Sequence, residues 1–545
     1  MTAHLYHGKS IYIALLLCTG LLACGGGGAG SSTAPAEPRI EVTSGAGHLS
    51  VYWPLLAGSD SYQVWYQDSV RNVPMSSRSL TTQTIALSSP VETSAVHTIT
   101  ELDPALTYQV WLRAHWPDGT LRESPRLTSR AIATEVTTAS EQSSFAPTRT
   151  DLSVLDIRTV NSQVVDSREV YVTASFALYT DTAARSTGSA LHSGGLQIRG
   201  RGNSSWEQHP KKPYRLKLDN ALAWLDMPSN RHWVLLANHS DKTLLRNDVA
   251  FELSRRMGFA YTPRSKFVEV FLNGNYLGNY QLTEHLRTGS ARVNVTSLGT
   301  GAADNVLPNV SGGYLLEMDR LDSETSFVST QCSLAFKIES PDTASVAQKT
   351  YIQNYINSVE TSLYAADFAS PTTGYAAYID VDSFVNWYIH SEVMYHIDAF
   401  RFSTFFYKNR NGKLVIGPVW DFDLAMGNFY RFFSTNPGRT DGFGPAGTRC
   451  WYSRLLQDSA FQNLIRQRWQ VLRTGTLASG FSNYLSSQAM ALAQSQQNNY
   501  QRWPTLDKFT WPNVVITGTY PGEIEYLDFW LERRLRWLDS QWTLP

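Results

Sequence analysis

The chain has 545 residues, 46 Lys+Arg and 47 Asp+Glu, giving a formal net charge of −1. At roughly 150 residues per domain, this length suggests about three or four domain-sized units. Near-neutrality without a basic tail or stripe argues against nucleic acid as a partner. An aromatic content of 12% excludes wholesale disorder, and four cysteines exclude a disulfide-built scaffold.

Residues 1–10 carry Lys9 and no acid, and an apolar run follows from Ile11 to Ala23. The run is too short to span a bilayer as a helix but suits a signal-peptide core. It ends in Leu21-Leu22-Ala23-Cys24, which resembles a bacterial lipobox. That resemblance implies cleavage before the cysteine and a diacylglycerol on its thiol. Residues 1–23 are therefore read as a lipoprotein signal peptide, and Cys24 as the lipidation site and the link to a membrane. Gly25 rather than Asp follows the cysteine, so the expected location is the outer membrane of a Gram-negative cell envelope. Residues 24–37 are a Gly/Ser-rich tether. Processing leaves Cys332 and Cys450, the candidates for one disulfide in an oxidising compartment.

Residues 38–138 show short strands and turn signals without a helical period. Leu49–Trp53 and Tyr62–Tyr66 alternate, and Leu102 stands six residues before Tyr108, which opens another strand. This resembles the tyrosine corner of a fibronectin type III sandwich, and Trp53 matches that family's core Trp. The resemblance implies a spacer or binding module. Residues 139–150 read as a linker.

Residues 151–545 are rich in strands up to about 340 and in helices afterwards. Leu196–Trp206 reads as a strand entering a Gly-rich turn, and Lys211–Leu218 as the next strand. Period two sets Arg215 and Lys217 on one face and Tyr214, Leu216 and Leu218 on the other. Such a loop beside a cationic strand can cradle phosphate, although most such hairpins are only turns. The spacing predicts a helix over 241–257 with Asp241 as its cap, and a hairpin over 267–284 turning at Asn273-Gly274. A second helix, over 382–396, delivers His396-Ile397-Asp398. A hairpin over 405–416 then leads into Trp420-Asp421-Phe422-Asp423. Because a hairpin returns to its start, Asp398 and Asp421 are expected at one end. One carboxylate would orient a hydroxyl while the other binds Mg²⁺ or Mn²⁺, the division of labour phosphoryl transfer requires.

The segments Arg199–Trp206, Lys211–Tyr214, Asp241 with Arg246-Asn247, Asn273–Glu284, Gly312–Glu317 and Trp420–Asp423 together resemble the spore-coat protein H (CotH) kinase family. The match spans roughly residues 152–540. It implies a multidomain chain: an all-β fibronectin type III-like sandwich followed by a large α+β atypical protein-kinase-like domain. It implies ATP and Mg²⁺ or Mn²⁺ as cofactors and a protein Ser/Thr substrate of unknown identity. Carried over by position, Asp398 is the catalytic residue and Asp421 and Asp423 are metal ligands. Arg199, Arg201, Asn203, Ser204, Lys212, Lys217 and Glu284 contact nucleotide, with Lys217 favoured for phosphate and Glu284 at the adenine hinge. Glu252 is the partner of that lysine. Ser403 stands where an ordinary kinase has a second metal-binding Asn. Two other readings stay open: a non-catalytic surface binding or adhesion lipoprotein, which the scarcity of ATP outside the cytoplasm favours, and a carbohydrate enzyme using paired carboxylates.

Overall fold

The computed structural model describes residues 145–543 apart from 322–324 and 430–437. Further toward the N-terminus it describes residues 38–130, with breaks at 39, 46–47, 55, 57–58, 60, 69–93 and 100–106. The signal, the tether, Cys24 and the Leu102 side of the expected tyrosine corner lie outside the described residues.

The N-terminal part contains two antiparallel sheets. One joins Glu41–Gly45, His48–Pro54 and Ser94–Ile99; the other joins Ser61–Asp68 and Thr107–His115 with Leu121–Glu123 and Leu127–Arg130. Period-two alternation turns Leu49, Val51 and Trp53 from the first sheet onto Tyr62, Val64, Val110 and Leu112 from the second, forming one buried core. The Trp53 and Tyr62 rings meet at 5.6 Å.

The expected linker is shorter than read from composition. Phe145 packs on Tyr276 with ring centroids 5.8 Å apart, and Thr150 donates to Glu269 at 3.0 Å, so residues 145–150 belong to the following domain.

That domain begins with a closed barrel. Its strand order is His192–Gly200, Tyr214–Leu222, Asn230–Leu236, Asn275–Glu284, Ser265–Leu272, Val154–Thr159 and Val172–Tyr179. All neighbours are antiparallel except the parallel pair Ser265–Leu272 and Val154–Thr159. Leu196, Ile198, Leu216, Leu218, Trp233 and Leu235 fill the interior. The alternate residues, among them Arg199, Arg215, Lys217 and His232, are therefore on the outer wall. The Asn273-Gly274 turn has φ of 51° and 84°, values that Asn and Gly tolerate.

Beyond the barrel, a five-stranded antiparallel sheet runs Ser326–Val328, Ala335–Ser340, Tyr314–Met318, Thr404–Lys408, Leu414–Ile416. Helices Val346–Tyr364, Val381–Met394, Ser459–Thr474 and Tyr520–Gln541 share one large core with it, and Val234 and Leu236 from the barrel wall join that core. Helix Ala493–Arg502 fastens the barrel to this helical layer. Asn499 accepts from Lys211 Nζ at 2.9 Å, Ser495 accepts from Asn279 at 2.9 Å, and Trp503 donates to the Leu277 carbonyl at 2.8 Å. Among the described residues no helix is long and apolar enough to cross a membrane.

Two helix boundaries differ from expectation. The first helix runs Arg246–Arg256, because the Asp241 carboxylate closes a tight turn by accepting from Thr243 N at 3.0 Å and Arg246 N at 2.7 Å. The second runs Val381–Met394: Asp380 caps it, accepting from Ser383 N at 2.8 Å, and Tyr395 ends it in the left-handed region at φ 46°.

Candidate active site

The left-handed Tyr395 swings the chain out of the helix axis, and His396 N bonds back to the Ser391 carbonyl at 3.0 Å. Asp398 follows in a turn closed by the amides of Arg401 and Phe402, which donate to its carbonyl at 3.0 and 3.1 Å. The hairpin Thr404–Lys408 and Leu414–Ile416 then returns, and Gly417 N reaches the Phe405 carbonyl at 2.7 Å. The chain is thus back beside its start when it reaches Asp421. Ser403 Oγ donates to Asp421 Oδ2 at 3.1 Å. The expected meeting of the Asp398 and Asp421 ends is what the hairpin produces.

The Asp421-Phe422-Asp423 segment is held by amide side chains. Asn247, in the first turn of Arg246–Arg256, accepts from Phe422 N at 2.8 Å, and Asn428 donates to the Asp423 carbonyl at 2.8 Å. Asn513 donates to Asn428 at 2.8 Å. Phe422 is buried between the rings of His390 and His396, at 5.1 and 4.5 Å. Its burial contributes on the order of 2–3 kcal/mol toward keeping this loop in place. Asp421 has φ 69°, a conformation costly for a non-glycine residue and sustained here by those anchors.

The facing wall comes from the barrel. Arg199 and Arg215 are directly opposed across two strands, and Arg199 stacks over Tyr171 at 5.1 Å. Arg201, at the strand's exit, shares a cleft with Ser205, Asn238, Asn247, Asp421 and Asp423. Gly202 has φ 81°, and a Cβ there would lie 2.3 Å from Ser205 Oγ, so this turn requires glycine.

The cleft's electrostatics are those of crowded carboxylates. Burial and then the Asp421 carboxylate push Asp398 up to about 6, against the pull of Arg401. Burial, then Asp421 and Asp398, raise Asp423, with Arg201 opposing. Burial lowers Arg201, while Asp421, Glu317 and Asp423 support its charge. Among the described residues no three His, Cys, Asp or Glu side chains form a ready-made cation site. The donor set nonetheless fits a hard divalent ion: Mg²⁺ commonly takes one or two carboxylates and completes its shell with substrate phosphates and water. Asp421 and Asp423 are the residues that would hold it.

Several expected site residues are elsewhere. Lys217 sits between Gln197 and His232 in the strand register, whereas Arg201 and Lys211 are cations that line the cleft. Lys212 donates to the Trp206 carbonyl and lies over that indole at 5.4 Å, so it turns away. Asn203 accepts from Arg168 at 3.0 Å on the outside, and Ser204 only opens the short helix Ser204–Gln208. Glu252 does not meet a lysine: its carboxylate binds Arg255 at 3.0 Å and Arg256 at 2.8 Å on its own helix. Glu284 is fully buried, bound by Arg292, by Arg264 at 3.1 Å and by the Tyr261 hydroxyl at 2.9 Å. A carboxylate so compensated is a structural knot rather than a group waiting for adenine. Cys332 and Cys450 are joined, with Cα atoms 6.0 Å apart.

Sequence reasoning gave no role to Asn247, Asn428 or Glu317. Asn247 had a signal, since it follows Arg246 in a recognisable pair; Asn428 had none. Lys211, next to the nucleotide candidate Lys212, is the buried one, with Nζ on Asn499 and the Asn279 carbonyl; burial pulls it down to about 7.

None of the curated proteins compared with the chain matches it. The family described as CotH kinase protein matches residues 198–538, from the strand that carries Arg199 to the last helix and so well over half the chain. The fold, the cleft and that match agree: the chain belongs to the CotH kinase protein family, a kinase-like family.

Proposed function

We propose that this chain is an exported, lipid-anchored atypical protein kinase that moves the γ-phosphoryl group of ATP to Ser or Thr of surface or secreted proteins. The observation that carries the reading is that Asp421 and Asp423 share one cleft with Arg201, with Asp398 close enough for its charge to act on Asp423. In transfer, the acceptor hydroxyl oxygen forms a bond to the γ-phosphorus, the bridging bond to ADP breaks, and the hydroxyl proton passes to the Asp398 carboxylate. A carboxylate with its pKa near 6 is ionised at neutral pH yet basic enough for that task. Mg²⁺ or Mn²⁺, when bound, neutralises charge developing on the phosphate oxygens. Arg201 adds fixed positive charge to the same wall. Ser403, in contact with Asp421, supplies no carboxamide for a second metal, so one ion is the reading. Cys24 is the proposed anchor, residues 24–37 the tether, and the two-sheet unit a fibronectin type III-like spacer.

The test uses the purified full chain with labelled ATP and Mg²⁺ or Mn²⁺, and casein-like acceptors. Label should appear on the chain or the acceptor and disappear in Asp421→Ala. Equal labelling in both would overturn the reading.

A further inference from the structure

The turn after helix Val381–Met394 presents more than a carboxylate. Arg401 and Phe402 close that turn through their amides, so their side chains leave the backbone beside Asp398. Arg401 lies over the Phe402 ring at 4.6 Å, and Arg320 lies over the same ring at 5.6 Å. Arg320 arrives there because Met318 pairs with Thr404, which sets the residues after one strand against those before the other. A third guanidinium, Arg449, feels the charges of both Arg401 and Asp398. Its position is held from the next residue on. Cys450 is tied to Cys332, and Glu360 accepts from Trp451 Nε1 at 3.0 Å and from the amides of Gln331 and Cys332 at 2.9 and 3.2 Å.

These three cations contrast with three fully buried arginines of the domain core. Arg246 has Asp241, Arg292 has Glu284 and Arg534 has Glu392. Among the described residues no carboxylate stands at ion-pair distance from Arg320, Arg401 or Arg449, and Arg449 Nε is buried without a partner. Asp398 acts on Arg401 and Arg449 from beyond ion-pair distance and Asp319 adjoins Arg320, so two carboxylates stand against three guanidinium groups. Like charges fixed around one aromatic ring repel, and an anion placed among them recovers that energy. Phe402, half-buried, offers an apolar platform at the centre.

We propose that Arg320, Arg401 and Arg449 form the binding site for an acidic peptide, whose Asp or Glu side chains flank the hydroxyl presented to Asp398. Acceptor selection then follows charge: carboxylates on either side of the target Ser or Thr engage the arginines, which take no part in bond making. The transfer step rests on the kinase reading above, but the charge preference is measurable without it.

The experiment is fluorescence anisotropy with the purified full chain and two labelled peptides, one with Glu around a central Ser and one with Lys. The Glu peptide should bind about tenfold or more tightly than the Lys peptide, and the difference should shrink at high salt. Arg320 and Arg401 are exposed, so the double charge reversal Arg320→Glu and Arg401→Glu should keep the melting temperature while erasing or inverting the preference. Arg122→Glu, on the sandwich, should leave it unchanged. Equal binding of the two peptides, or a preference that survives the double reversal, would overturn the proposal. With labelled ATP added, charge-selective binding without transfer would count against the kinase reading alone. Transfer without charge selection would count against this site alone.

Discussion

Arg246→Met tests how the metal-side loop is held. Arg246 and Asp241 are paired at 2.6 Å with side chains 2% and 0% exposed. The same guanidinium donates to the carbonyls of Ala425 and Met426 at 3.2 and 3.4 Å, so it clips the segment after Asp423 to the start of the helix. Removing one partner of a buried ion pair costs about 3–5 kcal/mol. Asp241 keeps three donors, from Thr243 N, Thr243 Oγ and Arg246 N, which pulls the figure down. The two orphaned carbonyls pull it up by about 1 kcal/mol each. The expected loss is about 4 kcal/mol, roughly a thousandfold in the unfolding constant. Urea unfolding followed by tryptophan fluorescence reads it as a fall in midpoint. Phosphate transfer should fall further than the folded fraction, because Asp421 and Asp423 lose their anchor. Arg246→Met combined with Asp241→Asn removes both charges and should recover at least half of the loss. A single variant that loses less than about 1 kcal/mol would refute the clip, since that is the worth of one ordinary hydrogen bond. A double variant no better than the single would refute the charge argument.

Three further outcomes follow from the site. Asp398 must be unprotonated to accept the acceptor's proton, and its pKa is pushed up to about 6, so kcat/KM should fall below that pH and level off above it; Asp398→Asn should remove both the rate and the limb. Glu284→Gln should destabilise the domain by about 3 kcal/mol by uncompensating Arg292 and Arg264, yet leave the KM for ATP nearly unchanged; a large KM rise at intact stability would restore the hinge reading. Cys450→Ser opens a link across 118 residues and should lower stability by about 2–4 kcal/mol. Unchanged melting with and without reductant would show that the link carries no stability.

Period-two alternation was enough to set Arg215 and Lys217 on the outer wall, and hairpin geometry was enough to bring Asp398 and Asp421 together. Both are local rules with one answer. The choice among cations was not local. Whether Lys217, Lys212 or Arg201 faces the acids depends on where the strand exits the barrel, which is set by closure of seven strands. Glu252 failed for the opposite reason: two arginines three and four residues on satisfied it within its own helix. Glu284 was misread because its partner Arg292 lies after an irregular loop, where no period signals contact. The amide side chains that fix the metal-side loop left almost no trace, since Asn428 and Asn513 are ordinary loop residues until the chain is folded.

The shape of the cleft also dictates how its ligands must bind. Burial and then the neighbouring carboxylates raise both Asp398 and Asp423, so without a cation the cleft favours a proton at Asp423. A divalent ion alone displaces that proton and finds two carboxylates, fewer protein ligands than a closed site needs. ATP alone brings several negative charges toward three acids, offset only in part by Arg201 and Lys211, which line the same cleft. Each ligand supplies what the other lacks: phosphate oxygens complete the metal's shell, and the metal offsets the phosphates. Mg²⁺ or ATP added singly should therefore shift the melting temperature little, while the two together should shift it by more than the sum of the separate effects, with each tenfold excess over Kd adding about 1.4 kcal/mol. Asp423→Asn removes one carboxylate and should weaken the joint effect while making ATP alone less unfavourable. A full shift with ATP in the presence of a chelator would refute this coupling, because the acids would then be tolerating the phosphates without a cation between them.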